Sequence, residues 1–203
     1  MSRTLALCLV ATLAAAPAFA QQGAPAAPAP GGITLGGPQI PGVCFLAQPV
    51  VLQNSRVGVS IIQRLQQLTQ ESRDEVASID KPIEAEAKAL QAKRATLAPA
   101  VVQEKQQALQ ARYNQMQALA SQRDHEITAT RDKVLGEVAT YEGPVISDVY
   151  KARDCGLLLD RNAVLGGNMG GDLTAAVIQG LDAKITTLSF GRESLPPGAT
   201  SGQ

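Results

Sequence analysis

Between Arg56 and Arg153 the apolar and small residues return at steps of three and four: Leu65, Leu68, Ser72, Val76, Ile79, Ile83, Ala87, Leu90, Leu97. That spacing draws one narrow stripe down a helix. A second stripe runs Val102, Leu109, Tyr113, Met116, Ala120, Ile127, Val134, Val138, Tyr141. The positions between are mostly Ala, Gln, Glu, Lys and Arg, all good helix formers. Ala95-Thr96-Leu97-Ala98-Pro99-Ala100 separates the stripes, and Pro99 disfavours one straight helix through it. The pattern therefore predicts an antiparallel hairpin turning there. Arms of residues 56–97 and 101–142 are equal in length, roughly 63 Å each at the helical rise. Residues whose numbers sum to about 198 then lie side by side: Leu65 with Val134, Ile79 with Leu119, Ile83 with Met116, Leu90 with Leu109. Pro82 predicts a kink in the first arm. Gly143-Pro144 predicts a break at the root of the second.

The flanks read differently. Val43-Cys44-Phe45-Leu46-Ala47, between Gly42 and Pro49, has the length and composition of a short buried strand. Cys155 to Leu159 and Ala163 to Leu165 predict two strands joined by the polar turn Asp160-Arg161-Asn162. Asp172 is the expected N-cap of a last helix of about 15 residues, with Leu173, Val177, Leu181 and Leu188 on one side. Three short strands and one helix make a small core, so this body gains by associating with copies of itself. The fold class is α+β, with body segments 42–55 and 154–190 and the hairpin over 56–153.

The ends carry targeting and tether signals. Arg3, the uncharged run Leu5 to Leu13 and Ala18-Phe19-Ala20 fit a signal peptide over residues 1–20, cleaved after Ala20. Its apolar run is too short to span a bilayer. Residues 21–41 are mostly Pro, Ala, Gly and Gln, the composition of a flexible tether. Residues 191–203, with Pro196-Pro197-Gly198, read as a disordered tail. Without Arg3 the chain has 17 basic and 18 acidic residues. That near-neutral balance gives no sign of the strongly basic face expected of a nucleic-acid binder, and no nucleic-acid partner is expected.

Two cysteines remain after processing, and export to an oxidising compartment favours their pairing. Antiparallel arms predict antiparallel strands at the root. Cys44 and Cys155 sum to 199, close to the arm register, which predicts a disulfide between them; two free buried thiols are the competing reading.

Other chemistry is sparse. His125, between Asp124 and Glu126, lacks a second His four residues on and reads as part of a solvated helix face. Gly166-Gly167-Asn168-Met169-Gly170-Gly171 precedes a helix as phosphate loops do, but it lacks the Lys-Ser/Thr ending, and Asp172 would repel an anion. The Ser and Thr clusters have no His base beside them. No enzyme activity, cofactor or metal is expected.

Leu157-Leu158-Leu159-Asp160-Arg161-Asn162-Ala163-Val164-Leu165, followed by Asp172-Leu173-Thr174-Ala175-Ala176-Val177, resembles the closing pattern of the Skp/OmpH family of periplasmic chaperones. The opening strand, Ser55-Arg56-Val57-Gly58 and the signal peptide agree with it, over about residues 42–188. The resemblance implies a homotrimer whose strands form a body and whose three hairpins surround a cavity. Such trimers hold unfolded outer-membrane proteins without ATP. On this reading Val43, Phe45, Leu157, Leu159, Val164, Leu165, Leu173, Val177 and Leu181 build the trimer body. Lys93, Arg94 and Pro99 mark the hairpin tip, where a weak membrane or lipopolysaccharide contact is implied, although the chain lacks the overall basic excess of well-known members. The alternative from periodicity alone is a coiled-coil spacer or adaptor in a cell-envelope complex. Client-binding residues cannot be assigned from sequence.

Overall fold

The computed structural model describes residues 33–196. The expected signal peptide, most of the tether and the last seven residues of the tail lie outside them.

Two long helices dominate. α2, Arg56–Lys93, and α3, Pro99–Ala152, are 38 and 54 residues long and run antiparallel against each other. Ser55 caps α2, its hydroxyl accepting the Gly58 N–H at 3.2 Å. Pro99 occupies the first turn of α3, where its missing N–H costs nothing. The tip therefore falls at residues 94–98, as the stripes predict. Pro82 sits inside α2 without ending it.

The expected break at Gly143-Pro144 is absent, and α3 runs on to Ala152. Both residues face solvent, while the next one, Val145, is 3% exposed in the core. Val145 packs on Gly180, where a Cβ would stand 2.6 Å from its Cγ1. Tertiary packing thus holds the helix through a residue that costs it one hydrogen bond.

The remaining elements form the body: β1 (Ile33–Thr34), β2 (Val43–Leu46), α1 (Gln48–Asn54), β3 (Leu157–Asp160), β4 (Gly166–Gly167) and α4 (Thr174–Lys184). β2 and β3 pair in parallel, Val43 opposite Leu157 and Cys44 opposite Leu158, correcting the antiparallel expectation. The physical reason lies at both ends of the hairpin. α1 intervenes between β2 and the outgoing arm, and Asp154, with φ of 51°, turns the chain between α3 and β3. The direction of the arms is therefore not inherited by the strands.

The second expected strand pair is also different. Residues 161–163 form a 3₁₀ turn in which the Asp160 carboxylate accepts the Asn162 N–H at 2.9 Å. No hairpin follows; instead β4 pairs in parallel with β1. The end of the segment read as tether is thus ordered against the body. Gly166 makes this approach possible, since a Cβ there would stand 2.6 Å from the Ile33 carbonyl oxygen. On the other edge of β2, Phe45 N–H reaches Gly171 O and Leu173 N–H reaches Phe45 O.

α4 starts two residues after Asp172 and is 11 residues long. Asp172 still accepts the Thr174 N–H at 2.8 Å, and the Thr174 hydroxyl in turn accepts the buried Ala47 N–H. Leu188 lies beyond the helix, packed on the core from an extended segment. The core joins Cys44, Leu46 and Val51 to Val57, Ile61, Val134, Val138 and Val145 of the arm bases and Leu173, Val177 and Leu181 of the last helix. Arms and body are one hydrophobic unit at the root.

Candidate functional site

The body presents an apolar edge that its own chain leaves open. Val43, Phe45, Leu159 and Val164 are half-buried and line a cleft of about 350 Å³ together with Ile40 and Gly167. Leu157 and Leu165 stand out from it, 50% and 93% exposed. Leu173, Val177 and Leu181, grouped with them at the sequence level, lie inside the chain's own core. Ile33, Leu35 and Ile40 add exposed apolar surface that sequence reading missed, because they sit in the Pro/Gly-rich stretch taken as tether. These side chains give the body an exposed apolar surface beside the cleft.

Behind this edge Cys44 and Cys155 are joined in a disulfide, with Cα atoms 5.8 Å apart. The bond reaches from inside β2 to the turn that precedes β3, because Leu158 takes the position opposite Cys44.

The arms carry few large side chains at their seam. Ile83, Leu90 and Met116 are buried, and Ile79 is 37% exposed. Cross-arm ion pairs join Glu86 to Arg112 and Glu75 to Arg123, both pairs summing to the predicted 198. Near the tip, Leu90, Leu97 and Leu109 floor a cleft of about 230 Å³ edged by Lys93 and Lys105. Arg94 is exposed in the turn beside it.

Lower down the hairpin lies a charge cluster that sequence reading did not assign. Glu126 is 2% exposed, yet both its oxygens have donors: Gln122 and the Leu195 N–H on one, Arg123 and Arg192 on the other. Arg123 also grips Glu75 with two hydrogen bonds, which holds the Glu75 carboxyl below the usual carboxylate range. Reciprocally, Glu75 raises the Arg123 guanidinium further above its ordinary value. Residues 191–196, expected to be disordered, are thus tied to the arms. Arg192 and Glu193 are the two charges of this segment, and no periodicity in the sequence marks them as anchored.

Glu142 is the other buried acid, 7% exposed at the root. Gln48 donates to one of its oxygens at 3.5 Å, and the second oxygen has no hydrogen-bond partner. Burial pushes its carboxyl above the usual range, against a smaller opposing effect of Gln48.

The glycine-rich loop closes the body. Asn168 donates to the Gly37 carbonyl, and the Arg161 guanidinium lies 2.9 Å from the Asp172 carboxylate. His125 is half-buried on α3. Among the described residues no group of three His, Cys, Asp or Glu side chains is placed to hold a metal ion. No helix among them is long and apolar enough to cross a membrane.

A long helical hairpin rooted in a small α+β body with an open apolar edge defines a hairpin-armed scaffold. The sequence over residues 42–181 matches the family of OmpH-like outer membrane proteins, so the chain belongs to that family. A solved structure from Caulobacter crescentus CB15, designated an OmpH-like outer membrane chaperone, shares 38% sequence identity with it. The two superpose with a TM-score of 0.70 over 78% of this chain and 94% of that one. No curated protein matches. Family and fold together support a chaperone role.

Proposed function

We propose that this protein is an ATP-independent periplasmic holdase that binds unfolded outer-membrane proteins and prevents their aggregation before assembly. The observation that carries this reading is the family match across residues 42–181, which takes in the body and both arms. The signal-peptide pattern of residues 1–20 supports export, with the processed chain acting in the periplasm. The exposed Leu157 and Leu165, beside the cleft of Val43, Phe45, Leu159 and Val164, support assembly through the body as a homotrimer. Three hairpins around a shared space would meet a client through many weak contacts, adding strength without specificity. A client strand held there cannot pair its edge with another client. The Lys93, Arg94 and Lys105 charges support a weak anionic preference at the tips, such as a membrane surface.

Sedimentation tests the reading. At micromolar concentration the protein should run as a trimer. Mixed with an outer-membrane barrel diluted from denaturant, it should form one soluble complex containing a single trimer. A monomer that leaves the client to pellet would reject the proposal. Stable binding to one folded envelope partner with no client complex would favour the spacer reading instead.

A further inference from the structure

After α4 ends at Lys184, residues 185–196 run along both arms without helix or strand. Ile185, Leu188 and Phe190 pack on the core, and the Phe190 carbonyl accepts from Arg64 of α2 at 3.3 Å. Arg192 then spans the hairpin. Its guanidinium meets Ser72 at 2.9 Å and Glu75 at 3.4 Å on α2, and Glu126 at 3.1 Å on α3. The Glu193 N–H donates to Thr130 at 2.8 Å, and its carboxylate meets Lys133 at 2.7 Å. Leu195 is held at both backbone groups, by Glu126 and Gln122.

These contacts are not interchangeable surface pairs. Glu126 is 2% exposed with this segment in place, and two of its four donors, the Arg192 guanidinium and the Leu195 N–H, come from it. Removing the segment would take both donors from the carboxylate. The segment therefore belongs to the resting fold and is not a loosely held tail. Toward the tip the seam changes character. There the cross-arm ion pair, Glu86 with Arg112, is solvent-exposed, and Pro82 removes a hydrogen bond from α2.

We propose that residues 185–196 form a strap that locks the lower halves of the two arms together, with Arg192 as its pin, so that bending is confined to the hairpin beyond Glu75 and Arg123. The strap divides each arm into a fixed base, continuous with the body, and a free distal half. This division is a property of the isolated protein and does not depend on what the arms hold.

Hydrogen exchange on the full chain tests it. In the native protein, amides of residues 60–74 and 124–138 should exchange at least about tenfold more slowly than those of 84–92 and 105–114. Arg192→Ala should accelerate the base amides at least about tenfold and leave the distal ones unchanged. Equal protection along the whole hairpin in the native protein would overturn the proposal. So would unaltered base exchange in the variant, or equal acceleration along both arms. Should Arg192→Ala fail to fold, Arg192→Lys decides the matter. An ammonium keeps the charge but cannot span Ser72 and Glu126 as the fork does. Base exchange should rise by about threefold or more, and no rise would refute the strap.

Discussion

Arg123 grips Glu75 of the opposite arm through two parallel hydrogen bonds, 2.6 Å from Nη2 to Oε1 and 2.8 Å from Nε to Oε2. Its remaining Nη1 reaches the buried Glu126 at 2.9 Å. One side chain therefore ties the two arms together in register and supports a carboxylate that is 2% exposed. Arg123→Ala should destabilise the protein by about 2 kcal/mol, because it strips a donor from a buried charge as well as breaking the cross-arm pair. Arg112→Ala removes a pair that is nearly half exposed on both sides and should cost less than about 1 kcal/mol. Urea unfolding of the two variants checks the difference; equal losses would contradict this account of the cluster.

Glu142 makes an opposite prediction. Its raised pKa means that the folded state binds the proton more tightly than the unfolded state does. Its contribution is therefore most favourable in acid and declines as pH rises through and above the ordinary carboxylate range. Glu142→Gln should stabilise the fold at pH 7 by about 1 kcal/mol and give no gain near pH 4. Glu75, with its pKa lowered, behaves the other way: its contribution is present above the ordinary range and is lost as pH falls. Melting temperatures of Glu142→Gln and the parent at both pH values measure the sign. A destabilised variant at pH 7 would contradict a net penalty from burying the Glu142 carboxylate.

The bond between Cys44 and Cys155 closes a loop of 111 residues. In the chain-entropy picture it stabilises by about 5 kcal/mol through the unfolded state. Processed protein taken from an oxidising compartment and denatured without reductant should show no free thiol. Reduction should lower the unfolding midpoint while leaving the helical content of the folded state in place. Two free thiols per chain would contradict the bond.

The arms were legible in the sequence because a stripe of threes and fours and one proline determine a hairpin locally. The register followed from the position of the turn, and Glu86 with Arg112 and Glu75 with Arg123 obey it. The body was less legible. Whether β2 and β3 run parallel depends on where α1 and the turn at Asp154 send the chain, and neither leaves a periodic signal. Pro144 misled because its effect on a helix is local, while the packing of Val145 on Gly180 comes from far along the chain. The strap was hidden for the same reason. Residues 185–196 have no periodicity, and their order comes from Glu126 and Thr130, some sixty residues away in sequence. Of the body residues read as an assembly surface, alternation could not separate Leu165, which is exposed, from Leu181, which is buried in the chain's own core.

The proposed activity is to keep unfolded outer-membrane proteins soluble without nucleotide. Light scattering of a β-barrel client diluted from urea tests it most directly. With no nucleotide present and about three chains per client, scattering should fall close to that of buffer. Scattering that stays at the level of the client alone, even at about tenfold excess of protein, would contradict the account.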